Sequence, residues 1–306
     1  MSLLLEPLQY EFFRHALIAG IMIGALCGLL GVFTVLRGMS YIGHGLSHAA
    51  FGGAVIGHVL GIGYYLSALV TAMLGALAAQ RISNGRRLRS DASIGIVTTA
   101  LFAVGVAIIS LKGRMEFNFE AALFGNLLGV TSFDLWLIAV VTLVCVVSVV
   151  IQYRRLMFSS FDEETAAAMG VAREPLQLIF TLLLTLCVLA SMNIVGVTLI
   201  AAALIIPAAT LRMLTNSFHI MVIYSPLLGA CCAFIGLFFS YYFDFASGAT
   251  IVIVEAACFI CAWCYRTICD RRVLHIHPHR HGTVEHVHSH GHKGEHAHLH
   301  EKNPID

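Results

Sequence analysis

Long apolar stretches alternate with short polar segments along most of this chain, and the pattern is typical of membrane-spanning helices. A transmembrane helix needs about 20 mostly apolar residues. Nine stretches meet that requirement, at 14–36, 42–61, 62–82, 92–112, 133–151, 175–193, 194–212, 218–241 and 247–266. The breaks after residue 61 and around residue 194 separate neighbouring stretches only weakly. We therefore expect an all-α polytopic membrane protein with eight or nine transmembrane helices.

Composition supports a membrane protein, because 58% of the residues are hydrophobic and only 11% are charged. A soluble globular domain carries about twice that share of charge. The formal net charge of +1 gives no reason to expect a nucleic-acid partner. The start of the chain contains Glu6, Glu11 and Arg14 but no small-residue cleavage site, so we expect no removable signal peptide.

Arginines mark the side of the membrane on which each connecting segment lies. They fall in four regions, which contain Arg81, Arg86, Arg87 and Arg89; Arg154 and Arg155; Arg212; and Arg266, Arg271 and Arg272. Segments rich in Arg and Lys stay in the cytoplasm. Nine spans place all four regions there if the N-terminus lies outside and the C-terminus inside.

The composition changes after Arg266, and this change divides the chain into a transmembrane domain, 1–266, and a tail, 267–306. The tail has few large apolar residues, so we expect a disordered cytoplasmic segment. Its eleven histidines are His275, His277, His279, His281, His286, His288, His290, His292, His296, His298 and His300. Closely spaced imidazoles predict a flexible ligand that captures divalent metal ions. The alternative is a solubilising tail without a metal function.

Nine cysteines do not predict a disulfide framework, because eight of them fall inside the apolar stretches and Cys269 follows the last one. Such cysteines behave as small apolar residues. Three of them form the pattern Cys258-x-x-Cys261-x-x-Cys264. Each step of three residues turns about 60° away from the previous one around a helix, so we expect packing rather than a metal site.

The cytoplasmic segment 155–174 contains its own helix signals. Ser160 precedes Glu163 by three residues, as in a capping box, and Gly170 and Pro175 are typical of a helix end and of the next helix start. The segment is either a surface connector or an element that docks a partner. No Gly-x-x-x-x-Gly-Lys-Ser/Thr motif occurs in the chain, so it has no phosphate-binding loop of its own.

His44 and His48 are the clearest candidates for chemistry inside the apolar region. Residues four apart lie on one face of a helix, with Cβ atoms about 6 Å apart, so both imidazoles can reach one ion. Polar residues within a span are costly and mark functional sites by default. Neutral imidazole suits zinc and also manganese or iron. The alternative is that each histidine only hydrogen-bonds a neighbouring helix.

Glu255 lies in the middle of the last apolar stretch. An unpaired carboxylate is expensive there, so Glu255 must be protonated, paired or exposed to a cavity. We name it as a further candidate on a metal path.

The stretch from residue 8 to 266 resembles permease subunits of ABC importers that take up zinc, manganese or iron from an external metal-binding protein. Five segments carry the resemblance in the same order. They are LRGMSYIGHGLSHAAFGG (36–53), LFGNLLGV (123–130), FDEETAAAMGV (161–171), VGVTLIAAALIIPAATLRMLT (195–215) and SYYFDFASGATIV (240–252).

The resemblance implies a type II ABC-importer-like permease in the plasma membrane of a prokaryote. It also implies a homodimer, a cytoplasmic ABC ATPase, an external metal-binding protein and a metal path at the dimer centre. No permanently bound cofactor is expected, and the divalent metal ion is the cargo. The ATPase-coupling helix of the family corresponds here to Phe161, Asp162, Glu163, Ala167, Met169 and Gly170.

The family motif for metal contact reads Gly-Asp-x-x-x-His, and here His48 matches its histidine while His44 occupies the aspartate position. A nitrogen donor in place of oxygen favours zinc without excluding manganese. The exchange also removes a negative charge, which Glu255 or another carboxylate would have to supply.

The sequence is also compatible with two other classes of function. An ion-driven secondary metal transporter would also suit a His-rich cytoplasmic tail. A metal-dependent membrane enzyme needs a nucleophile or an acid and base near the metal, and the chain has no His-Glu-x-x-His motif. Genes for an ATPase and a metal-binding protein beside this gene would favour the importer, in which the chain itself is not an enzyme.

Overall fold

The computed structural model describes residues 6–84, 90–112, 119–126, 129–161, 170, 172–281 and 284–291. A short 3-10 helix, Pro7–Gln9, comes first. Ten α-helices follow in the described ranges: α1 Glu11–Leu36, α2 Ser40–Leu60, α3 Tyr64–Asn84, α4 Ser90–Lys112, α5 Phe119–Phe124, α6 Ser132–Phe161, α7 Arg173–Val195, α8 Ile200–Leu214, α9 Phe218–Phe243 and α10 Ser247–Val273. Two strands end this part of the chain, β1 Leu274–His281 and β2 Val284–Gly291.

Seven of the helices are long and apolar enough to cross a membrane. These spans are Glu11–Leu36, Tyr64–Ser83, Asp91–Leu111, Ser132–Phe161, Glu174–Val195, Phe218–Phe243 and Ser247–Cys269. The two remaining predicted segments correspond to α2 and α8. Helix α2 has 21 residues, among them three histidines and five glycines, and is not one of the seven; α8 has only 15 residues. The prediction of an all-α polytopic membrane protein is confirmed.

Helices α1 and α7 form the centre of the bundle. In the most apolar 18 residues of each helix, 78% of the residues are buried in α1 and 72% in α7, but only 22% in α4. Helix α1 packs on α6, α8 and α9, whereas α2 packs between α3 and α4. Helix α7 contacts both groups. The helix that carries His44 and His48 therefore belongs to a peripheral three-helix group with one strongly exposed member, α4.

Glycines allow the closest helix crossings. A Cβ atom at Gly24 would collide with the backbone of Gly229, and one at Gly52 would collide with the carbonyl of Leu101. A Cβ atom at Gly105 would lie 2.8 Å from the Cα of Gly52. Without a hydrophobic driving force between helices in lipid, such close backbone packing is a main source of helix association. These contacts fix α9 on α1 and α4 on α2.

The segment after α6 differs from its predicted capping pattern. Ser160 does not begin a new helix, because α6 continues through Phe161 and the Ser160 hydroxyl donates to the carbonyl of Leu156 at 2.7 Å. Serine inside a helix commonly bonds back by four residues in this way. Gly170 has φ +77°, which suits a helix end. The predicted docking residues Asp162, Glu163, Ala167 and Met169 lie outside the described residues.

The chain divides into two compact units, Met1–Phe259 and Ile260–Asp306. In the second unit, β1 and β2 form an antiparallel hairpin that faces His275 with His290, His277 with His288 and His279 with His286. The sequence predicts disorder here, whereas the structure has these two strands, in which histidine recurs at every second position, the period of a strand. His292, His296, His298 and His300 lie outside the described residues.

Candidate functional site

Tyr41, His44 and His48 form a partly exposed stripe along α2. The ring centroids of His44 and His48 are 4.2 Å apart, so the predicted sharing of one helix face is met. The Tyr41 ring lies 5.4 Å from the His44 ring. Both imidazoles are half-buried, whereas the opposite side of the helix is buried. The pair is therefore anchored by packing and still accessible from one side.

The imidazole of His48 has an unused ligand atom. Its Nδ1 is buried and has no hydrogen-bond partner, although buried polar atoms are normally paired. Ser47, between the two histidines, donates its hydroxyl to the backbone carbonyl of His44 at 2.8 Å and so leaves the rings free of that contact. A neutral imidazole nitrogen is the commonest metal ligand in proteins. The geometry fits a two-nitrogen contact for a metal ion.

Helix α4 forms one wall beside the pair. The ring of Phe102 lies 4.5 Å from that of His48, and Thr98 and Ile94 pack against Gly45 of α2. Thr99 and Val106, one turn on either side of Phe102, are exposed. An exposed helix face therefore runs directly beside the two imidazoles.

Among the residues that the structure describes, no group of three or more His, Cys, Asp or Glu side chains is placed to hold a metal ion. Glu255 therefore does not join His44 and His48 in one site. His58 is exposed in the last turn of α2, ten residues beyond His48.

Glu255 occupies a different environment from the histidines. Its side chain is 1% exposed, and neither carboxyl oxygen has a hydrogen-bond partner. The thiols of Cys27 on α1 and Cys258 on α10 are among its titratable neighbours. The sequence requires Glu255 to be protonated, paired or exposed to a cavity. Among the residues that the structure describes, Glu255 has no hydrogen-bonded partner, so it is not paired.

The cysteines are all free. Cys27 and Cys187 join α1 to α7 with a sulfur–sulfur distance of 3.8 Å, and Cys232 and Cys258 join α9 to α10 at the same distance. These are packing contacts between thiols, as the sequence predicts for cysteines in apolar stretches.

A polar network that the sequence reasoning missed lies at the end of the bundle where α3 begins. Asp134, at the start of α6, is 6% exposed and accepts hydrogen bonds from the Tyr65 hydroxyl and from Asn193 at 3.1 Å. Thr131 donates its hydroxyl to the same carboxylate at 2.7 Å. Only the three-residue spacing of Thr131 and Asp134 signals part of this network in the sequence. The network ties α3, α6 and α7 together.

Comparison with known proteins agrees with this architecture. The model of the ABC 3 transport family matches residues 9–266. The manganese transport system membrane protein MntC of Halalkalibacterium halodurans is 36% identical over 258 residues, which cover 84% of this chain and 88% of that protein. The chelated iron transport system membrane protein YfeC of Yersinia pestis is 33% identical over 263 residues, with coverage of 86% and 89%.

A solved structure gives the same result at the level of the fold. PsaBC from Streptococcus pneumoniae in complex with Fab superposes with a TM-score of 0.79 and 32% identity over 86% of this chain and 94% of that one. The family match spans the predicted transmembrane domain nearly from end to end, and the sequence and fold comparisons agree. This chain belongs to the ABC 3 transport family, as a transport permease and not an enzyme.

Proposed function

We propose that this chain is the membrane-spanning subunit of an ATP-driven importer for divalent transition-metal ions. The observation that carries the proposal is the pair of half-buried imidazoles on α2, 4.2 Å apart, one of which has a buried nitrogen without a partner. Relatives that share about a third of the sequence are named for manganese and iron transport. An external binding protein delivers the ion, and a cytoplasmic ATPase supplies the energy.

A second copy of the chain completes the metal path in this proposal. Zinc in proteins is usually held by four ligands, and one chain offers two imidazoles. The exposed face of α4 beside His48 is the surface on which the second copy packs. Two copies related by a twofold axis would bring two pairs of imidazoles to a common path.

We propose zinc as the preferred cargo, with manganese and iron as the alternatives. Two imidazoles suit zinc, whereas oxygen ligands suit manganese. The family motif has an aspartate where this chain has His44, so the donor set here is shifted towards nitrogen. The names of the relatives point instead to manganese and iron, which makes the metal the first property to measure.

The experiment is reconstitution of the chain with its ATPase and binding protein in proteoliposomes. ATP hydrolysis and metal uptake are measured with Zn²⁺, Mn²⁺ and Fe²⁺ in turn. The proposal predicts uptake that depends on ATP and hydrolysis that rises with the transported metal. Uptake that continues without ATP, driven by an ion gradient, would show a secondary transporter instead.

The segment 155–174 docks the ATPase in this proposal. Phe161, at the end of α6, is 57% exposed, although its ring also contacts Phe218 of α9 with centroids 5.8 Å apart. Changing Ala167 to Asp should lower the amount of ATPase that copurifies with the permease, because a charge enters a small apolar contact face. Ala246, exposed between α9 and α10, gives the matched control Ala246→Asp. Equal copurification of both variants would reduce 155–174 to a surface connector.

We also propose that the cytoplasmic tail captures metal, and the strand register favours this function. Three pairs of histidines stand directly opposite each other in the hairpin, and opposed residues have Cβ atoms about 5 Å apart. Equilibrium dialysis measures the number of Zn²⁺ ions bound per chain in two variants. The first changes four paired or neighbouring hairpin histidines to Ala: His277, His279, His286 and His288. It should bind less Zn²⁺ than the second, which changes four histidines after the hairpin to Ala: His292, His296, His298 and His300. Equal reductions in bound Zn²⁺ would favour a flexible ligand without a fixed strand register.

Deletion of 274–306 should lower the metal bound per chain and leave transport largely intact.

A further inference from the structure

Arg37 connects the turn before α2, the helix that carries His44 and His48, to the last turn of α6. Its Nη2 donates to the hydroxyl of Ser159 at 2.7 Å, and its Nε donates to the hydroxyl of Ser160 at 3.3 Å. The guanidinium carbon also lies 4.6 Å from the ring centroid of Phe180 on α7. One side chain thus contacts two further helices at the end of the bundle where α6 runs into the proposed docking segment.

The two serines are held in position by their own helix. The hydroxyls of Ser159 and Ser160 both donate to the carbonyl of Leu156, at 3.2 Å and 2.7 Å, and Leu156 is 1% exposed. Each hydroxyl therefore donates once and accepts once. A displacement of the last turn of α6 moves both acceptors of Arg37 together.

Arg37 is also joined closely to α2. Only residues 37–39 separate α1 from α2, and Gly38 has φ +65°, which suits a tight reversal after a helix. The amide of Met39 donates to the carbonyl of Thr34 at 3.0 Å, and that of Ile42 donates to Met39 at 3.0 Å. His44 follows within about two turns of helix, so the turn and the imidazole pair form one short rigid connection.

Helix α6 packs on α1 and α7, whereas α2 packs mainly on α3 and α4 and also contacts α7. The side-chain contact between the turn 37–39 and the end of α6 therefore joins two helices that otherwise meet mainly through a shared neighbour, α7. The partners of Arg37 on α6 are neutral hydroxyls. Such hydrogen bonds are directional and can be exchanged during a conformational change.

We infer that Arg37 transmits movement of the docking segment to α2, so that ATP hydrolysis on the partner changes the position of His44 and His48. Arg37 is a positioning residue in this proposal and does not touch the metal. The inference rests on the proposed function, since it requires an ATPase at 155–174. Arginine suits the role because its planar group bridges two hydroxyls and stacks on an aromatic ring at once, which lysine cannot do.

The test measures the number of metal ions transported per ATP hydrolysed, with Zn²⁺ and Mn²⁺ as probes, in the reconstituted complex. Arg37→Ala should lower this ratio about tenfold, while insertion and copurification with the ATPase remain. Arg37→Lys should transport more metal ions per ATP hydrolysed than Arg37→Ala, but fewer than the unmodified chain. Arg14→Ala is the matched control, because Arg14 is exposed in the first turn of α1, at the end of that helix opposite to the turn that contains Arg37.

A second variant keeps the inference testable if Arg37→Ala fails to fold. Ser159→Ala with Ser160→Ala removes the two hydroxyl acceptors on α6 and should lower the ratio about threefold. Adding Arg37→Ala to this pair should cause no loss beyond that of Arg37→Ala alone, because residues that act through one contact are not additive.

Several outcomes overturn the inference. An unchanged ratio in Arg37→Ala, or in the serine double variant if the arginine variant does not fold, removes the proposed connection. Loss of copurified ATPase in Arg37→Ala would assign Arg37 to docking or stability instead. If the unmodified chain does not copurify with an ATPase, the proposed function itself fails, and that result is distinct from a failure confined to Arg37.

Discussion

The His44–His48 pair and Glu255 are both titratable groups within the helical bundle, yet their surroundings differ. The two imidazoles are half-buried and lie beside an exposed helix face, whereas Glu255 is 1% exposed and has thiols as its titratable neighbours. Each has a buried polar atom without a hydrogen-bond partner. The difference lies in the whole side chain: the His48 ring is partly exposed, whereas the Glu255 carboxyl is enclosed.

The histidine pair has both properties that a transport contact needs. It offers two imidazole rings whose centroids lie 4.2 Å apart, and one side of the stripe is exposed. Glu255 offers oxygen donors but is enclosed between helices. The proposed metal contact therefore rests on α2 and not on Glu255, and four substitutions test that contrast.

The largest effect is expected for His48→Ala, which removes the donor whose Nδ1 has no other partner. Metal uptake should fall to the level of vesicles without permease, while membrane insertion and ATPase copurification persist. Uptake is measured with Zn²⁺ and Mn²⁺ in proteoliposomes. Normal uptake by this variant would show that His48 does not contact the transported metal. The proposed functional difference between His48 and Glu255 would then be wrong.

His44→Asp should keep transport and change the metal. The substitution exchanges a nitrogen donor for an oxygen donor and adds a negative charge, which favours harder cations such as Mn²⁺. We expect the ratio of Mn²⁺ to Zn²⁺ uptake to rise about tenfold, in line with the effect of ligand type on metal selectivity. His58→Asp is the control, because His58 lies in the last turn of the same helix. An unchanged ratio in His44→Asp would place His44 outside the first contact with the ion.

Gly52→Ala should weaken the packing that holds α4 beside the histidine pair. A Cβ atom there meets the carbonyl of Leu101, and overpacking of a tight interior costs about 1–3 kcal/mol. The thermal unfolding midpoint and the uptake rate should both decrease. Gly63→Ala is the matched control, since a Cβ atom at Gly63 meets nothing within 4 Å. Equal behaviour of the two variants would show that α4 is not fixed by this crossing.

The smallest effect is expected for Glu255→Gln. The amide has nearly the same shape and needs no charge in the buried site, so uptake should stay within about twofold and be equally pH-dependent in both proteins. Glu11→Gln, at a side chain that is 75% exposed, provides the comparison. A loss of uptake confined to Glu255→Gln would place this carboxyl on the path and merge the two regions into one functional unit.

Much of the membrane domain could be predicted because its signals are local. A span needs only a continuous apolar stretch, and the two histidines share a face because four residues make about one turn. The capping pattern at Ser160 was misleading for the same reason, since the serine bonds back to Leu156 within α6. Local spacing could not distinguish a helix start from a continued helix.

The contacts of Arg37 and Asp134 could not be read from the sequence. Arg37 meets serines more than 120 residues away, and Asp134 joins Tyr65 and Asn193 from two other helices. No periodicity relates such positions. The resemblance to a metal-uptake family pointed to His48 but assigned no role to either residue.

The sequence by itself determined the membrane class, most helix limits and the imidazole pair, because each depends on neighbouring residues and on the geometry of a single helix. Only the tertiary structure decided that Glu255 is sealed beside thiols while the histidines lie beside an open face, and that Arg37 reaches the end of α6. Burial and contact across helices depend on how the helices cross. Close backbone approaches at glycines such as Gly24 and Gly52, which leave no room for a Cβ atom, set those crossings, and they form only when distant segments are brought together.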